Sequence, residues 1–224
     1  MPNDQKLQTF LSSLRAKGKP HEKMEEKVKA AFNIADAFAG GVADIAKNRG
    51  LNDQGKRDAT RKLLSNGYAN WLAKLNDDLK PPRQHVAKLR AEIVPKVADP
   101  TDVVAEMQRS EIRAYVRALP LAERTALAFS ADLDPIIAQA IMTAPAMLSG
   151  LPNDRHAHLV RTHLEKHHAA ELAEIEHIEN QIEVVDAAIQ TARNDIFFAS
   201  GLDDFEFRQV VTAAPPKTMA PRAA

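Results

Sequence analysis

The chain has 224 residues, no cysteine, and equal numbers of basic and acidic side chains, 30 of each. This length can bury a core without disulfides or metals. The absence of cysteine excludes disulfide frameworks, thiolate zinc sites and cysteine nucleophiles. No apolar run approaches the roughly 20 residues that a membrane-spanning helix needs, and the first residues lack a signal-peptide pattern. We therefore expect a cytoplasmic protein with no contact with the membrane.

The charges are unevenly distributed along the chain. Residues 1–100 contain 19 Lys and Arg against 12 Asp and Glu, so the first part of the chain is basic and the rest is acidic. A basic region can bind nucleic acid, and the best candidate surface is on the third predicted helix, at Lys56, Arg57, Arg61 and Lys62. Nucleic-acid association through these residues is one alternative function, and ordinary solvated helix faces are another explanation.

The second predicted helix carries a heptad seam, in which apolar residues recur at steps of four and three. Its members are Met24, Val28, Ala31, Ala35, Phe38, Val42 and Ile45. Gly40 and Gly41 fall inside this seam, although glycine disfavours helix by about 1 kcal/mol per residue. Close approach of a second helix, or a kink, would explain why they are tolerated.

Shorter helices are predicted in the middle of the chain. Asp53 can cap the third helix, and Asn66-Gly67 can divide it in two. A later helix, beginning near residue 100, is predicted from seven apolar positions: Val103, Val104, Met107, Ile112, Tyr115, Val116 and Leu119.

From Pro152 to Ala199 there is no internal Gly or Pro, and the sequence predicts one continuous helix there, on the order of 70 Å long. Its apolar positions form a second heptad seam, at Ile175, Ile178, Ile182, Val185, Ile189, Ala192 and Ile196. Gly201 is the expected stop signal. A short amphipathic piece follows, and the Pro- and Ala-rich tail from residue 213 is predicted to be disordered.

The predicted fold class is all-α, an elongated, coiled-coil-like helical bundle with one very long C-terminal helix. Four regions are expected: a basic helical region with the first seam, a short-helix region, a long acidic helix, and an amphipathic piece with the tail. Their bounds are 1–99, 100–150, 151–202 and 203–224.

Six of the eight histidines fall between residues 156 and 177. His163, His167 and Glu171 are four residues apart and could form a simple metal clasp on one helix face. Two Glu-x-x-His pairs also occur, but they face opposite sides of the helix and so do not match a di-iron bundle. A solvated polar face and a pH-sensitive imidazole cluster are the alternatives. We assign no metal and no cofactor from the sequence.

No catalytic motif is found. The chain lacks a phosphate-binding glycine loop and a Gly-x-Ser-x-Gly elbow, and the few glycines fall at predicted helix ends or in the first seam. The sequence therefore predicts a protein that is not an enzyme.

Residues 140–151 read AIMTAPAMLSGL and are followed by a long acidic helix. This pattern resembles uncharacterised helical proteins encoded in tailed-phage and prophage virion gene clusters. The resemblance covers the C-terminal half of the chain. It implies a structural role in a phage particle or its assembly, and hence a location in the host cytoplasm or the virion.

Together these features predict a non-enzymatic structural or assembly protein that acts through helix–helix contacts, with itself as a homo-oligomer or with protein partners. The predicted interaction residues are Met24, Val28, Phe38, Val42, Ile45, Ile175, Ile178, Ile182, Val185, Ile189 and Ile196. Alternatively, the two seams pack within one monomer. A histidine- and glutamate-based metal protein is a further alternative.

Overall fold

The structure is a computed structural model that describes residues 3–16, 18, 23–97, 99, 101–130 and 132–213. All regular secondary structure in these residues is helical, which confirms the predicted all-α fold. The predicted disordered tail lies outside the described residues, apart from residue 213. The helices are α1 Asn3–Ala16, α2 Met24–Lys47, α3 Asp53–Leu63, α4 Ala69–Asp77, α5 Lys80–Ile93, α6 Val103–Ala118, α7 Leu121–Ala128, α8 Pro135–Met142, α9 Ala146–Ser149, α10 Asn153–His167, α11 Ala169–Ser200 and α12 Asp204–Ala213.

A long C-terminal helix is present, but the prediction of one unbroken helix over 152–199 is wrong. The chain kinks at His168, whose φ of −135° and ψ of 34° lie outside the helical region. Its backbone N–H still donates to the Leu164 carbonyl, and its own carbonyl accepts from the Leu172 N–H at 2.9 Å. Glu171, in the first turn of α11, lies 3.6 Å from the His168 ring. His168 therefore ends α10 and starts α11.

The chain folds into two compact units. Unit 1 comprises Met1–Val86 and Glu176–Ala224, and unit 2 comprises Ala87–Ile175. Their boundaries fall inside α5 and α11, whereas the four predicted regions had bounds at 99/100, 150/151 and 202/203. The difference arises because residues from opposite ends of the chain meet in unit 1, a pairing that local sequence patterns do not reveal.

The core of unit 1 contains most of both predicted seams. Phe38 and Val28 of α2 are fully buried, as are Ile178 and Ile196 of α11. The other seam residues are also buried, except Val42 and Ile45, which are half-buried. Ile175 is the last residue of unit 2 and is buried as well. The seam residues are thus buried or half-buried within the chain and do not form an exposed apolar surface.

Polar and aromatic contacts join α11 to the other elements of unit 1. Lys6 of α1 bonds to Asp195 at 2.5 Å. Arg83 of α5 pairs with Asp186, and the ring of Phe197 packs edge-on against Phe207 of α12 at 5.2 Å between centroids. These contacts orient the apolar side of α11 towards the core.

Helix α3 approaches α2 at Gly41, whereas a Cβ atom at Gly40 would have no neighbour within 4 Å. A Cβ atom at Gly41 would lie 2.8 Å from a methyl carbon of Leu63, so a larger residue there would require the Leu63 side chain to move. This confirms the expected close approach at Gly41. The predicted break at Asn66-Gly67 is also confirmed, because Gly67 has a φ of 137° between α3 and α4, a region that favours glycine.

Unit 2 has its own core, formed mainly by α6, α7, α8 and α10. Val116, Ile141 and Leu159 are buried at its centre. Arg124 of α7 fastens this core to its loops. Its guanidinium donates hydrogen bonds to four backbone carbonyls, those of Val116, Arg117, Leu119 and Gly150. It thereby satisfies carbonyls at the end of α6 that have no partner within the helix.

Candidate functional site

Helix α6 begins and ends at clear signals. The Asp102 side chain accepts the Ala105 N–H at 2.9 Å and so caps the first turn. The helix ends at Ala118, two residues before Pro120. The 16 residues of α6 form two different faces, one buried and one exposed.

The inward face of α6 contains two buried arginines, Arg109 and Arg113, whose residues are 8% and 6% exposed. Glu106 bonds to both, with 2.9 Å between its Oε2 and Arg109 Nε. The hydrogen bond from Arg113, and then the one from Arg109, lowers the pKa of Glu106 below its ordinary value. Arg113 also donates to the Ala140 carbonyl of α8 at 3.3 Å. This polar cluster fixes which side of α6 faces the core.

The outward face of α6 is apolar and exposed. Val103, Val104, Met107 and Tyr115 are each 60–69% exposed, and Ala114 and Ala118 are exposed as well. The apolar positions that predicted this helix are therefore divided between its buried face and its exposed face. The buried face accommodates Val116, Ile112 and the two arginines, and this leaves the other large apolar residues on the opposite side.

The exposed residues have the spacing of a helix-packing seam. Val104, Met107, Glu111, Ala114 and Ala118 follow one another at steps of three and four, the repeat that brings two helices together side by side. We call these five residues, with the flanking Val103 and Tyr115, the α6 stripe. Its two alanines permit close approach of another backbone. Glu111 is its one charged member.

The segment that carries the phage resemblance packs beside α6. Arg117 of α6 donates to the Leu148 carbonyl of α9 at 3.4 Å. On the same short helix Met147 is 76% exposed. Gly150 ends α9 with a φ of 69°, where a Cβ atom would lie 2.6 Å from an Arg124 nitrogen. The exposed apolar surface of unit 2 therefore includes α9 as well as α6.

The candidate metal ligands are only partly brought together. The rings of His163 and His167 lie 4.5 Å apart between centroids. Glu171 follows the kink and lies on α11, where one of its carboxylate oxygens is 3.6 Å from Nδ1 of His168. Among the described residues, no group of three or more His, Cys, Asp or Glu side chains is arranged to hold a metal ion.

The environment of His163 favours its neutral form. Burial is the main cause that lowers the pKa of His163, and the nearby charges of His167, His168 and Lys166 lower it further. A neutral imidazole carries one N–H donor and one acceptor nitrogen. His163 is thus available for hydrogen bonding near neutral pH.

The candidate nucleic-acid residues do not form one free basic face. Arg57 and Arg61 both pair with Glu206 of α12, Arg57 at 3.6 Å. Lys56 is half-buried, and Lys62 is exposed on another side of α3. Much of the positive charge predicted for this surface is therefore neutralised within unit 1.

No protein-family model matches the chain, and no significant match is found among characterised proteins or solved structures. None of the helices in the described parts of the chain combines the length and apolar character needed to cross a bilayer.

Sequence reasoning missed the α6 stripe as a surface. A signal was present, because Arg109 and Arg113 are four residues apart and therefore share one helix face. A helix face with two arginines is normally expected to be exposed to solvent. Its burial here depends on hydrogen bonds to Glu106 and to a carbonyl of α8, and a hydropathy pattern does not include such bonds.

Proposed function

We propose that this chain is a non-enzymatic helical assembly protein that associates with further copies of itself through the α6 stripe. The observation that carries the proposal is a heptad-spaced row of exposed apolar side chains on a helix whose opposite face is fixed by buried arginines. A largely apolar exposed surface of this kind, here with one charged member, is typical of a protein–protein interface.

A second copy of the chain fits this surface. The stripe runs the length of α6, about 24 Å, so two such helices can pair along most of their length. Val104 and Met107 lie towards the N-terminal end of the stripe and its two alanines towards the C-terminal end. In an antiparallel pair the large side chains of one helix can therefore fit beside the alanines of the other. Burial of a Val or Met side chain at such a contact contributes about 1.5–3 kcal/mol.

The biological setting that we propose is a phage virion or its assembly pathway, and therefore the host cytoplasm or the particle. The support for this setting is the resemblance of residues 140–151 to the helical virion-cluster proteins. In this chain that segment provides the exposed Met147 and packs against the helix that carries the stripe. The setting and the interface thus involve neighbouring elements of unit 2.

The experiment compares solution mass by light scattering for the wild-type chain, Met107→Glu and Phe198→Glu. Both substitutions place a carboxylate at an exposed large apolar residue, but Phe198 lies on α11 in unit 1. We expect the wild type and Phe198→Glu to be oligomers of equal mass. Met107→Glu should dissociate at concentrations at least about tenfold higher, because a charge buried in an apolar contact is costly.

Two results would overturn the proposal. A wild-type chain that stays monomeric at all concentrations tested would remove self-association altogether. Equal masses for Met107→Glu and the wild type would show that association uses another surface.

A further inference from the structure

Unit 2 also contains a cavity of about 750 Å³, formed by α7, α8 and α10 with the chain that follows α5. Its volume lies within the range of about 300–1,000 Å³ that is typical of small-molecule sites. Its residues belong to neither the α6 stripe nor the unit 1 core. The composition of its wall indicates what it would bind.

The body of the cavity is apolar. The side chains that form it include Phe129, Leu133, Ile136, Met142 and Leu159. Leu159 and Met142 are buried members of the unit 2 core, whereas Ile136 is 60% exposed at the edge. The apolar tail of a ligand can therefore enter from solvent at Ile136 and reach the buried side chains of Met142 and Leu159.

All the ionisable side chains in the wall are bases: Lys96, His163, Lys166 and His167. Two of the acidic residues that flank the wall in sequence accept hydrogen bonds from other groups. Glu165 accepts from Arg161 at 2.7 Å, and Asp134 accepts the Ile136 N–H at 2.7 Å. No ion pair joins Lys96 or Lys166 to a carboxylate within the described residues. The rim thus combines positive charge with imidazole donors, and no Asp or Glu is among the described residues that line the cavity.

We propose that this cavity binds a small amphiphile with one anionic head group, of which a medium-chain carboxylate is the simplest example. The apolar tail occupies the space between Phe129, Leu133 and Leu159. The head group lies at the rim, where Lys96 and Lys166 supply charge. The paired rings of His163 and His167 add N–H donors that can bond to a carboxylate oxygen.

The recognition is expected to depend on charge as well as on apolar burial. A cationic amphiphile with the same tail would gain the same burial but would meet two ammonium groups at the rim. A preference for the anionic head group therefore distinguishes a specific binding site from non-specific binding to an apolar surface.

The test is isothermal titration calorimetry on the full chain with dodecanoate and with dodecyltrimethylammonium, both below their micelle concentrations. We expect dodecanoate to bind once per chain and at least about tenfold more tightly than the cation. This difference is what two weak ion pairs, formed by Lys96 and Lys166 with the carboxylate and not with the cation, would produce. The double variant Lys96→Glu with Lys166→Glu should lose at least about tenfold in dodecanoate affinity and should prefer the cation.

A matched control carries the same change in net charge away from the cavity. Lys47→Glu with Lys88→Glu alters two exposed lysines, one on α2 and one on α5. This control should bind dodecanoate as the wild type does. The proposal is overturned if dodecanoate does not bind, if the two amphiphiles bind equally, or if both double variants bind dodecanoate equally. None of these results bears on self-association through α6.

Discussion

Glu106 is the residue on which the orientation of α6 depends. Its carboxylate bonds to Arg109 and Arg113, which are both buried. The Glu106 side chain is itself about half exposed, whereas the two arginine side chains are largely buried. Removing its charge leaves both guanidinium groups without a carboxylate partner, which costs more than the loss of a fully exposed ion pair. We therefore expect Glu106→Gln to lower the thermal unfolding midpoint of unit 2.

The matched control is Glu123→Gln, the same change at an exposed residue of α7, which belongs to unit 2 but not to the α6 stripe. It should leave the midpoint near that of the wild type, as surface substitutions generally do. An equal fall in both variants would contradict the role given to Glu106.

The contribution of Glu106 also has a predictable pH dependence. Its pKa in the folded chain lies below its ordinary value of 4.5, so the folded state favours the charged form. Its contribution to stability is therefore complete above the ordinary pKa and is lost as the pH falls through the folded one. The difference in denaturant midpoint between wild type and Glu106→Gln should be large at pH 7 and should shrink below about pH 4.

At the scale of helices, the heptad seams illustrate what periodicity can and cannot establish. The steps of three and four correctly identified the buried sides of α2 and α11, which include Phe38 and Ile196 respectively. Periodicity says nothing about whether the covering surface comes from the same chain. In unit 1 the covering surface comes from the same chain, as the contact between Lys6 and Asp195, from opposite ends of the sequence, indicates.

A core role for the second seam makes a specific prediction. Ile178 is fully buried, and Ile178→Ala should lower the free energy of unfolding of unit 1 by about 2–5 kcal/mol, since it removes buried methyl groups and leaves a cavity. Denaturant unfolding measures this change. The mass of the folded variant should match the wild type, because the seam lies inside the chain; a loss of oligomer without loss of stability would contradict this assignment.

Two features of the helices were beyond sequence reasoning for a physical reason. The kink at His168 occurs without Gly or Pro, and the chain keeps its hydrogen bonds on both sides of it. The orientation of α6 depends on the partners of its arginines, and the apolar residues on its two sides are similar in type. Hydropathy could not decide which set faces the core, and the histidine spacing could not show that the kink separates Glu171 from His163.

At the scale of the molecule, the two units divide the tasks that the sequence suggested. Unit 1 buries the seams that were predicted to bind partners, and its basic residues Arg57 and Arg61 are paired internally. Unit 2 presents the α6 stripe and the cavity with its basic rim. We therefore assign both proposed binding functions to unit 2.

The most direct test of the proposed interface is the distance between the α6 helices of two copies. Because the chain has no cysteine, Ser110→Cys allows a single nitroxide label at the middle of α6, beside the stripe. Paired helices lie about 8–10 Å apart, so labels on two copies should be separated by less than about 20 Å in pulsed or continuous-wave spin-resonance spectra. Absence of any such coupling at concentrations where the labelled chain is oligomeric would contradict an α6-mediated assembly.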